Sequence, residues 1–262
     1  MDLALDTRPS AVDRIVIDTS DLRPAAGQID IPSTGLTVRD DRSGTTVFAG
    51  TPLSTPDVWL RYIDGARRSY AAHGISGALD FDAVVGGEET SMFFAVITDD
   101  DEVVGGVRVQ GPYRSISESH ALIEWDGTPG LVRLSEELST RLGDGLAELK
   151  TAFVNPHPAA GHIAAQIARV PLFVQTLAGC RYTMATAADH VLSRWESGGG
   201  RVNSDVPPTP YPDDRYRTQV MFWDRLTMAQ QARPDMWALM QRQCSELMAS
   251  ATILGDNALV AA

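Results

Sequence analysis

The sequence predicts one mixed α/β domain with additions at both ends, and three features of the chain predict it. An amphipathic helical pattern comes first, and two β-branched runs joined by a short acidic connection follow it, as in a hairpin. The stretch from residue 145 to 178 then reads as an apolar strand, a loop rich in small residues and a long helix. This order of elements is typical of a sheet covered by helices.

The same order divides the chain into three segments. Residues 1–50 are predicted to form an irregular N-terminal arm, because proline, glycine and polar residues surround its two short β-like runs, Arg14–Ile17 and Leu36–Val38. Residues 51–225 are predicted to form the α/β domain. A helical pattern predicts a C-terminal extension over residues 226–262.

The first helix is predicted to begin after Thr55. Thr55 suits the N-cap and Pro56 suits the first helical position. Gly74 is expected to end the helix. Apolar residues recur at spacings of four, three and four along one face, at Trp59, Ile63, Ala66 and Tyr70.

Further strands and helices follow in alternation. The runs Met92–Ile97 and Val103–Val109 predict the hairpin, and Ala121–Trp125 predicts a third strand. Leucines at every fourth position predict a helix over residues 133–142. The remaining predicted elements are a strand at 146–154, a helix at 163–178 that breaks near Val170, a strand at 182–185, a helix at 189–196 and a strand at 218–223.

The C-terminal helical pattern carries one apolar stripe. Its members are Trp237, Met240, Cys244 and Met248. We expect this stripe to pack in the core or against a second copy of the chain, and a methionine-lined ligand groove is the alternative.

The composition argues against several classes of function. The chain has 262 residues, with 34 Asp or Glu against 22 Lys or Arg, so its net charge is -12. This charge repels nucleic-acid phosphates, and we expect no nucleic-acid partner. The two distant cysteines, Cys180 and Cys244, predict neither a disulfide framework nor a zinc site. Without a signal peptide or an apolar run of ~18 residues, the sequence predicts a cytoplasmic protein with no membrane span.

Common catalytic motifs are missing from the sequence. It contains no GxGxxG after a strand, no GxxxxGKS or GxxxxGKT, no HExxH and no GxSxG. His157 and His162 are five residues apart, which is not a typical ligand spacing on a helix, so no metal site is predicted.

Four segments of the chain are nevertheless recognisable: FFAVITDDDEVVGGVRV, AELKTAFVNP, HPAAGHIAAQIA and CRYTMATAADHVLSRWESGGGRV. Together they resemble the GNAT acyltransferase fold, in its branch of N-acyl-homoserine-lactone synthases and N-acyl-amino-acid synthases, over residues 56–224. The branch's vvGxxRL pattern matches residues 103–109, and its ExxRxxV pattern places Glu148 at the Glu, with Thr151 where Arg is expected. The resemblance implies a mixed, mostly antiparallel sheet flanked by helices, with the GNAT-like domain over residues 51–225.

The resemblance also implies the residues of a site. Glu148 would take the proton from an acceptor amine through water, and backbone N–H groups near Val154 and Asn155 would polarise a thioester carbonyl. Arg108 is the second expected catalytic residue, because a buried guanidinium needs an anionic ligand or a carboxylate such as Asp80 or Asp82. The cofactor-binding loop and helix start would comprise Ala160, Gly161, His162, Ile163 and Ala164.

We therefore expect an acyltransferase that moves an acyl group from an acyl-CoA or acyl-carrier-protein thioester to the amine of a small molecule, for example an amino acid. The expected partners are that amine, an acyl carrier protein and, through the C-terminal helix, a second copy of the chain. The alternative is a catalytically silent GNAT-fold protein that binds a partner or an acyl ligand, because Trp195 stands where many such enzymes have a general-acid Tyr. A hydrolase that uses His190 with a serine is a third interpretation.

Overall fold

The structure is a computed structural model that describes residues 31–260, with side chains through residue 250. The predicted run Arg14–Ile17 lies outside the described residues. None of the helices between residues 31 and 260 has the length and hydropathy that spanning a bilayer requires.

One central sheet organises the described chain. Its strands lie in the order β1-β2-β3-β4-β5-β6-β8-β7, and every neighbouring pair is antiparallel except β5 and β6. The predicted mixed, mostly antiparallel sheet is therefore confirmed. The strands are β1 Leu36–Asp40, β2 Thr45–Gly50, β3 Met92–Ile97, β4 Val103–Gln110, β5 Leu146–Val154, β6 Tyr182–Ala188, β7 Arg201–Val202 and β8 Thr218–Asp224.

Helices cover both faces of this sheet. They are α1 Pro56–Ala72, α2 Phe81–Val85, α3 Ala121–Glu124, α4 Leu131–Leu142, α5 Ala160–Ile167, α6 Val170–Ala178, α7 Leu192–Ser197, α8 Met228–Gln231 and α9 Pro234–Val260. Along β8 the side chains alternate between the faces: Val220 and Phe222 pack with α3 and α4, whereas Met221 and Trp223 pack with α6 and α9. α1 and α2 share the face of α3 and α4, and α5 lies on the opposite face.

The prediction of an irregular arm is wrong for residues 36–50, because these residues form β1 and β2. Leu36 and Val38 are buried and Thr37 and Arg39 are exposed, which is the alternation of a strand with one covered face. β2 in turn pairs with β3, on the far side of α1 in sequence. These runs are short, and the sheet rather than local sequence orders them. An irregular arm before residue 31 stays a prediction.

The predicted strand at residues 121–125 is also wrong, since this run is the short helix α3. Ala121 and Trp125 are fully buried, while Ile123 is 69% exposed. Burial at a spacing of four is the signature of a helix, but a five-residue apolar run is too short for that period to be distinguished from a strand.

Two adjacent glycines in β4 let helices approach the sheet from both sides. A Cβ on Gly105 would lie 2.8 Å from Ile163 of α5, and a Cβ on Gly106 would lie 2.7 Å from the Tyr62 ring of α1. No side chain fits at either contact without movement of a neighbour. The glycine pair therefore sets the distance between the sheet and the helices that surround the site.

α9 packs against β1 and α6 and closes the core on the second face. Met240 and Cys244 of the predicted stripe are buried there beside Met236 and Leu247, so this part of the stripe belongs to the core. The exposed Met248 lies outside it.

A buried ion pair ties α9 to the rest of the fold. Asp40 of β1 pairs with Arg169, which lies between α5 and α6, and Gln243 of α9 donates to Asp40 Oδ2 at 3.3 Å. Burial by itself would raise the pKa of Asp40, but the Arg169 charge and the hydrogen bonds outweigh it and lower that pKa below its usual value.

Candidate active site

The sheet is split between its two parallel strands. β5 and β6 pair only from Leu146 with Tyr182 to Leu149 with Ala185. Beyond these pairs, residues 150–154 of β5 and 186–188 of β6 have no register with each other. The strands thus diverge, and their facing edges lack the partners that a continuous ladder would provide.

A bulge in β5 lies at the beginning of this split. Arg108 is opposite Lys150 and Gly106 is opposite Phe153, so β5 has one residue more than β4 between these pairs. Thr151, within the bulge, has a φ of 53°, which non-glycine residues rarely adopt. The bulge bends β5 away from the line of β6 and separates the two edges.

A cavity of about 660 Å3 occupies the split and reaches both faces of the sheet. From the face of α5 and α7 it is lined by Leu149, Ile167, Ala168 and Trp195, all buried in the core of that face. From the opposite face it is lined by Tyr70, Leu79, Arg108, His120 and Glu124. Two ligands that approach from opposite faces would therefore meet within the sheet.

Alternation along β5 determines which backbone N–H groups face the split. The Asn155 N–H donates to the Val104 carbonyl at 2.9 Å, so it is directed at β4 and already engaged. Neighbouring residues of a strand direct their backbone groups to opposite sides, and the Val154 N–H is therefore directed at the open edge. Val154 also lines the cavity. Of the two predicted carbonyl donors, Val154 is the one whose N–H is directed at the split.

The start of α5 uses most of its own N–H donors. The Ala160 N–H donates to the His157 carbonyl at 3.0 Å, and the N–H groups of His162 and Ile163 both donate to the Ala159 carbonyl. The Ala159 N–H donates to His157 Nδ1 at 3.1 Å. Few donors of this turn are left for a phosphate.

The predicted cofactor loop only partly reaches the cavity. Ala164 lines the cavity, whereas Gly161 and His162 are exposed at the helix start. Gly161 is the residue of this turn whose N–H has no recorded acceptor within the described part of the chain. Ile163 instead packs on Gly105.

Arg108 is buried at the cavity with no carboxylate partner among residues 31–250. Its Nε donates to Thr151 Oγ1 at 3.1 Å and its Nη1 to Thr90 Oγ1 at 3.4 Å, and the residue is 3% exposed. The predicted pairing with Asp80 or Asp82 is not formed, because Asp80 instead caps α2 by accepting from the Ala83 N–H. A buried guanidinium that lines a cavity is suited to hold an anionic group.

Glu148 lies behind the cavity wall rather than on it. It is fully buried, and its Oε2 accepts hydrogen bonds of 2.7 Å from both the Tyr113 hydroxyl and the Ser119 hydroxyl. Its Oε1 lies 3.5 Å from Lys150 Nζ, on the sheet face that alternation predicts. Lys150 lines the cavity, whereas Glu148 does not.

A polar cluster of His120, Glu124 and Lys150 does line the cavity. Lys150 Nζ donates to Glu124 Oε1, and His120 Nδ1 lies 3.1 Å from each of these two atoms. Burial would raise the pKa of Glu124, but the Lys150 charge and hydrogen bonds from His120 and Lys150 lower it to about 2. Burial opposes the charge of Lys150, yet Glu124 and Glu148 raise its pKa above the usual value. Glu124 is thus a carboxylate and Lys150 an ammonium at neutral pH.

Sequence reasoning missed His120 and Glu124. The four-residue spacing HALIE was the available signal, but only a helix brings positions i and i+4 together, and this run was predicted as a strand. Trp195 lines the cavity as expected and packs edge-on against Trp223, with ring centroids 5.5 Å apart. Three tyrosines also line the cavity: Tyr70, Tyr211 and Tyr216.

The split between two parallel strands, the bulge beside it and the cavity through the sheet define a GNAT fold, and the predicted fold class is confirmed. A solved structure shares it: FeeM, an N-acyl amino acid synthase from uncultured soil microbes, aligns with a TM-score of 0.53 and 14% sequence identity over 72% of this chain and 95% of its own. A CoA-dependent acyl-homoserine lactone synthase, MesI, aligns with a TM-score of 0.48 and 16% identity over 75% of this chain and 94% of its own.

The sequence itself has relatives in mycobacteria. The chain is 38% identical over 234 residues to the uncharacterized protein Rv1356c of Mycobacterium tuberculosis, and equally to the uncharacterized protein Mb1391c of Mycobacterium bovis, with 89% of each chain covered. The chain belongs to the family of these mycobacterial proteins. No protein-family model matches it.

Proposed function

We propose that this protein is an acyltransferase that moves an acyl group from a thioester donor to the amine of a small molecule. The observation that carries the proposal is the open split between β5 and β6, which a cavity of about 660 Å3 occupies. A pantetheine arm is an extended chain with amide groups, and an unpaired strand edge is suited to bind it. The likeness in fold to an N-acyl amino acid synthase supports the same chemistry.

The backbone of β5 would activate the donor. The Val154 N–H, directed at the open edge, would donate to the thioester oxygen and stabilise the negative charge that develops there during attack. The bulge at Thr151 supports this role, because it keeps β6 from taking that N–H into the ladder.

Arg108 would select the acceptor. Its guanidinium lines the cavity and lacks a carboxylate partner among the described residues, so it would bind the carboxylate of an amino acid in the cavity. An α-amino acid held in this way presents its amine only about 2.5 Å from its carboxylate carbon, as covalent geometry requires. We therefore propose an amino acid as the acceptor.

Two kinds of thioester donor fit this chemistry. An acyl-CoA has a diphosphate and an acyl carrier protein presents one phosphate, while the start of α5 has already engaged most of its N–H donors. This supports a donor whose phosphate is not held by several backbone groups. We propose that an acyl carrier protein is the preferred thioester donor and that acyl-CoA also serves as a donor.

The test is turnover of defined substrates. The purified chain would be incubated with acyl-CoAs and acyl carrier proteins of several chain lengths, and with amino acids, while released thiol and the mass of the amide product are measured. We expect both products to appear together. The variant Ala187→Leu, which fills the split, should lose most turnover, and Ala72→Leu, at an exposed site on α1, should retain it. Absence of turnover across the panel, or full turnover by Ala187→Leu, would contradict the proposal.

A catalytically silent protein that binds an acyl ligand is the second candidate, and Trp195 favours it. The indole N–H of a tryptophan is far too weak an acid to protonate a leaving thiolate, and Trp195 lines the cavity near the expected position of the general acid. Calorimetric binding of an acyl-CoA without thiol release would support this second function.

A further inference from the structure

The polar cluster of His120, Glu124 and Lys150 lies on the same side of the sheet as Arg108. Arg108 and Lys150 are directly opposite each other on β4 and β5, and opposite residues of neighbouring strands place their side chains on one face. An acceptor that binds Arg108 through a carboxylate would therefore have its amine beside this cluster.

We propose that His120 accepts the proton of the acceptor amine, and that Glu124 is the positioning residue that orients its ring. This proposal rests on the acyltransferase function. His120 lines the cavity and its side chain is 30% exposed, so a ligand can reach the ring. Glu124 is fully buried behind it and lies 3.1 Å from Nδ1.

The net charge around His120 would favour the addition of one proton. Glu124 and Glu148 contribute two negative charges and Lys150 contributes one positive charge, all within the contacts described above. Arg108 adds a second positive charge on the same face, which the carboxylate of a bound acceptor would neutralise. A protonated His120 would then bring the sum to zero. Lys150 cannot take this role, because its ammonium is stabilised by both carboxylates and has no lone pair.

The contacts of Nδ1 also leave the other ring nitrogen available. Nδ1 lies 3.1 Å from both Glu124 Oε1 and Lys150 Nζ. In the tautomer in which Nδ1–H donates to Glu124, the lone pair is on Nε2, and the Lys150 ammonium is held by the carboxylates of Glu124 and Glu148. Within residues 31–250 no hydrogen bond to His120 Nε2 is recorded. The ring edge packs against Tyr211, with centroids 6.5 Å apart, and this contact fixes its plane.

The proposed proton transfers balance over the reaction. The acceptor amine attacks in its neutral form. As its nitrogen forms a bond to the thioester carbon, Nε2 takes one N–H proton, and the carbon–sulfur bond then breaks. The imidazolium returns that proton to the thiolate, so that an amide and a free thiol result. No further reactant is needed.

Several charged or titratable groups face His120 and will shape its pH response. Glu124 is on α3, which His120 precedes as the N-cap residue. Lys150 and Glu148 come from β5, Arg108 from β4, Tyr211 from the segment before β8 and Tyr70 from α1. Glu124 stabilises the imidazolium. Replacement of Glu124 by glutamine removes the charged partner of His120 Nδ1 and keeps the size of the side chain.

The experiment compares pH profiles of turnover in the full chain. His120→Gln should lower kcat by about 10² to 10⁴-fold with little change in the KM of the donor, since this is the usual contribution of a general base. Added imidazole should restore part of the rate in His120→Gly. In Glu124→Gln, the pH at which turnover falls on the acid side should move to lower pH, a change that loss of packing alone would not produce.

Glu136→Gln is the matched control for Glu124→Gln, because Glu136 is an exposed carboxylate on α4 and does not line the cavity. Its rate and pH profile should equal those of the wild type. Turnover by a folded His120→Gln with the wild-type pH profile would overturn the role of His120 and leave the acyltransferase function standing. Absence of turnover by the wild type would overturn both.

Discussion

The hydroxyl of Tyr62 on α1 donates a hydrogen bond of 2.8 Å to the backbone carbonyl of Thr151, at the bulge of β5. Burial raises the pKa of Tyr62 well above its usual value, so the hydroxyl remains a donor over the working pH range. The same tyrosine ring packs against Gly106. One side chain thus connects the close approach of α1 with the strand irregularity that opens the sheet.

Tyr62→Phe should therefore destabilise the fold and reduce turnover. The substitution leaves the buried Thr151 carbonyl without its donor, which costs about 1–3 kcal/mol. Urea unfolding monitored by fluorescence would measure the change in free energy, and thiol release would measure turnover. Wild-type stability together with wild-type turnover would mean that the bulge forms without this bond.

Gly106→Ala should destabilise the fold more than a neutral glycine substitution does. Its Cβ would lie 2.4 Å from the Phe94 carbonyl oxygen and 2.7 Å from the Tyr62 ring, and such overpacking costs about 1–3 kcal/mol. Gly143→Ala is the control, because no atom lies within 4 Å of its Cβ position and its φ is -64°. Equal melting temperatures for the two variants would contradict the close approach of α1.

Asp40→Asn should cause a large loss of stability. It removes one partner of the buried pair with Arg169 and leaves the guanidinium uncompensated, which costs about 3–5 kcal/mol. Asp99→Asn is the control, because Asp99 pairs with Arg39 on the surface, where an ion pair contributes little. Unfolding in urea would measure both. A smaller loss for Asp40→Asn than for Asp99→Asn would exclude a stabilising role for the buried pair.

The same carboxylate predicts an acid dependence of stability. The pKa of Asp40 is lowered in the folded state, so its contribution is fully present above the pKa of an unfolded aspartate, about 4. The contribution is lost as the pH falls through the lowered folded pKa. Urea midpoints measured from pH 6 down to pH 3 should fall for the wild type and fall less for Asp40→Asn. Parallel curves would assign the acid loss to other groups.

Arg108→Gln should raise the KM of an amino acid far more than it changes kcat. If Arg108 binds the acceptor carboxylate, the variant loses a charge-assisted hydrogen bond of about 1.5–3 kcal/mol, or roughly 10 to 150-fold in KM. An amine of the same length without a carboxylate is the control substrate, and its KM should change little. An equal effect on both substrates would point to a structural role through Thr151 and Thr90.

The sequence by itself determined the fold class and most elements. The period of apolar residues predicted α1, α4, the β3–β4 hairpin and β5 correctly, because each is long enough for its pattern to exceed one repeat. It also placed Glu148 and Lys150 on one face, since alternation along a strand is a local property. The β-like run Leu36–Val38 was predicted correctly as part of β1, but it was too short to show that residues 36–50 join the sheet. The run 121–125 was too short to distinguish a helix from a strand, and its packing decided its state.

Only the tertiary structure decided which residues line the cavity. Lys150 meets Glu124 across 26 positions of the chain and Arg169 meets Asp40 across 129, and no local pattern encodes such partners. It likewise left Arg108 without a carboxylate among the described residues and placed Glu148 behind the wall. The physical reason is that periodicity reports which face of an element is apolar, whereas the charge partners of a buried group depend on which elements pack against that face.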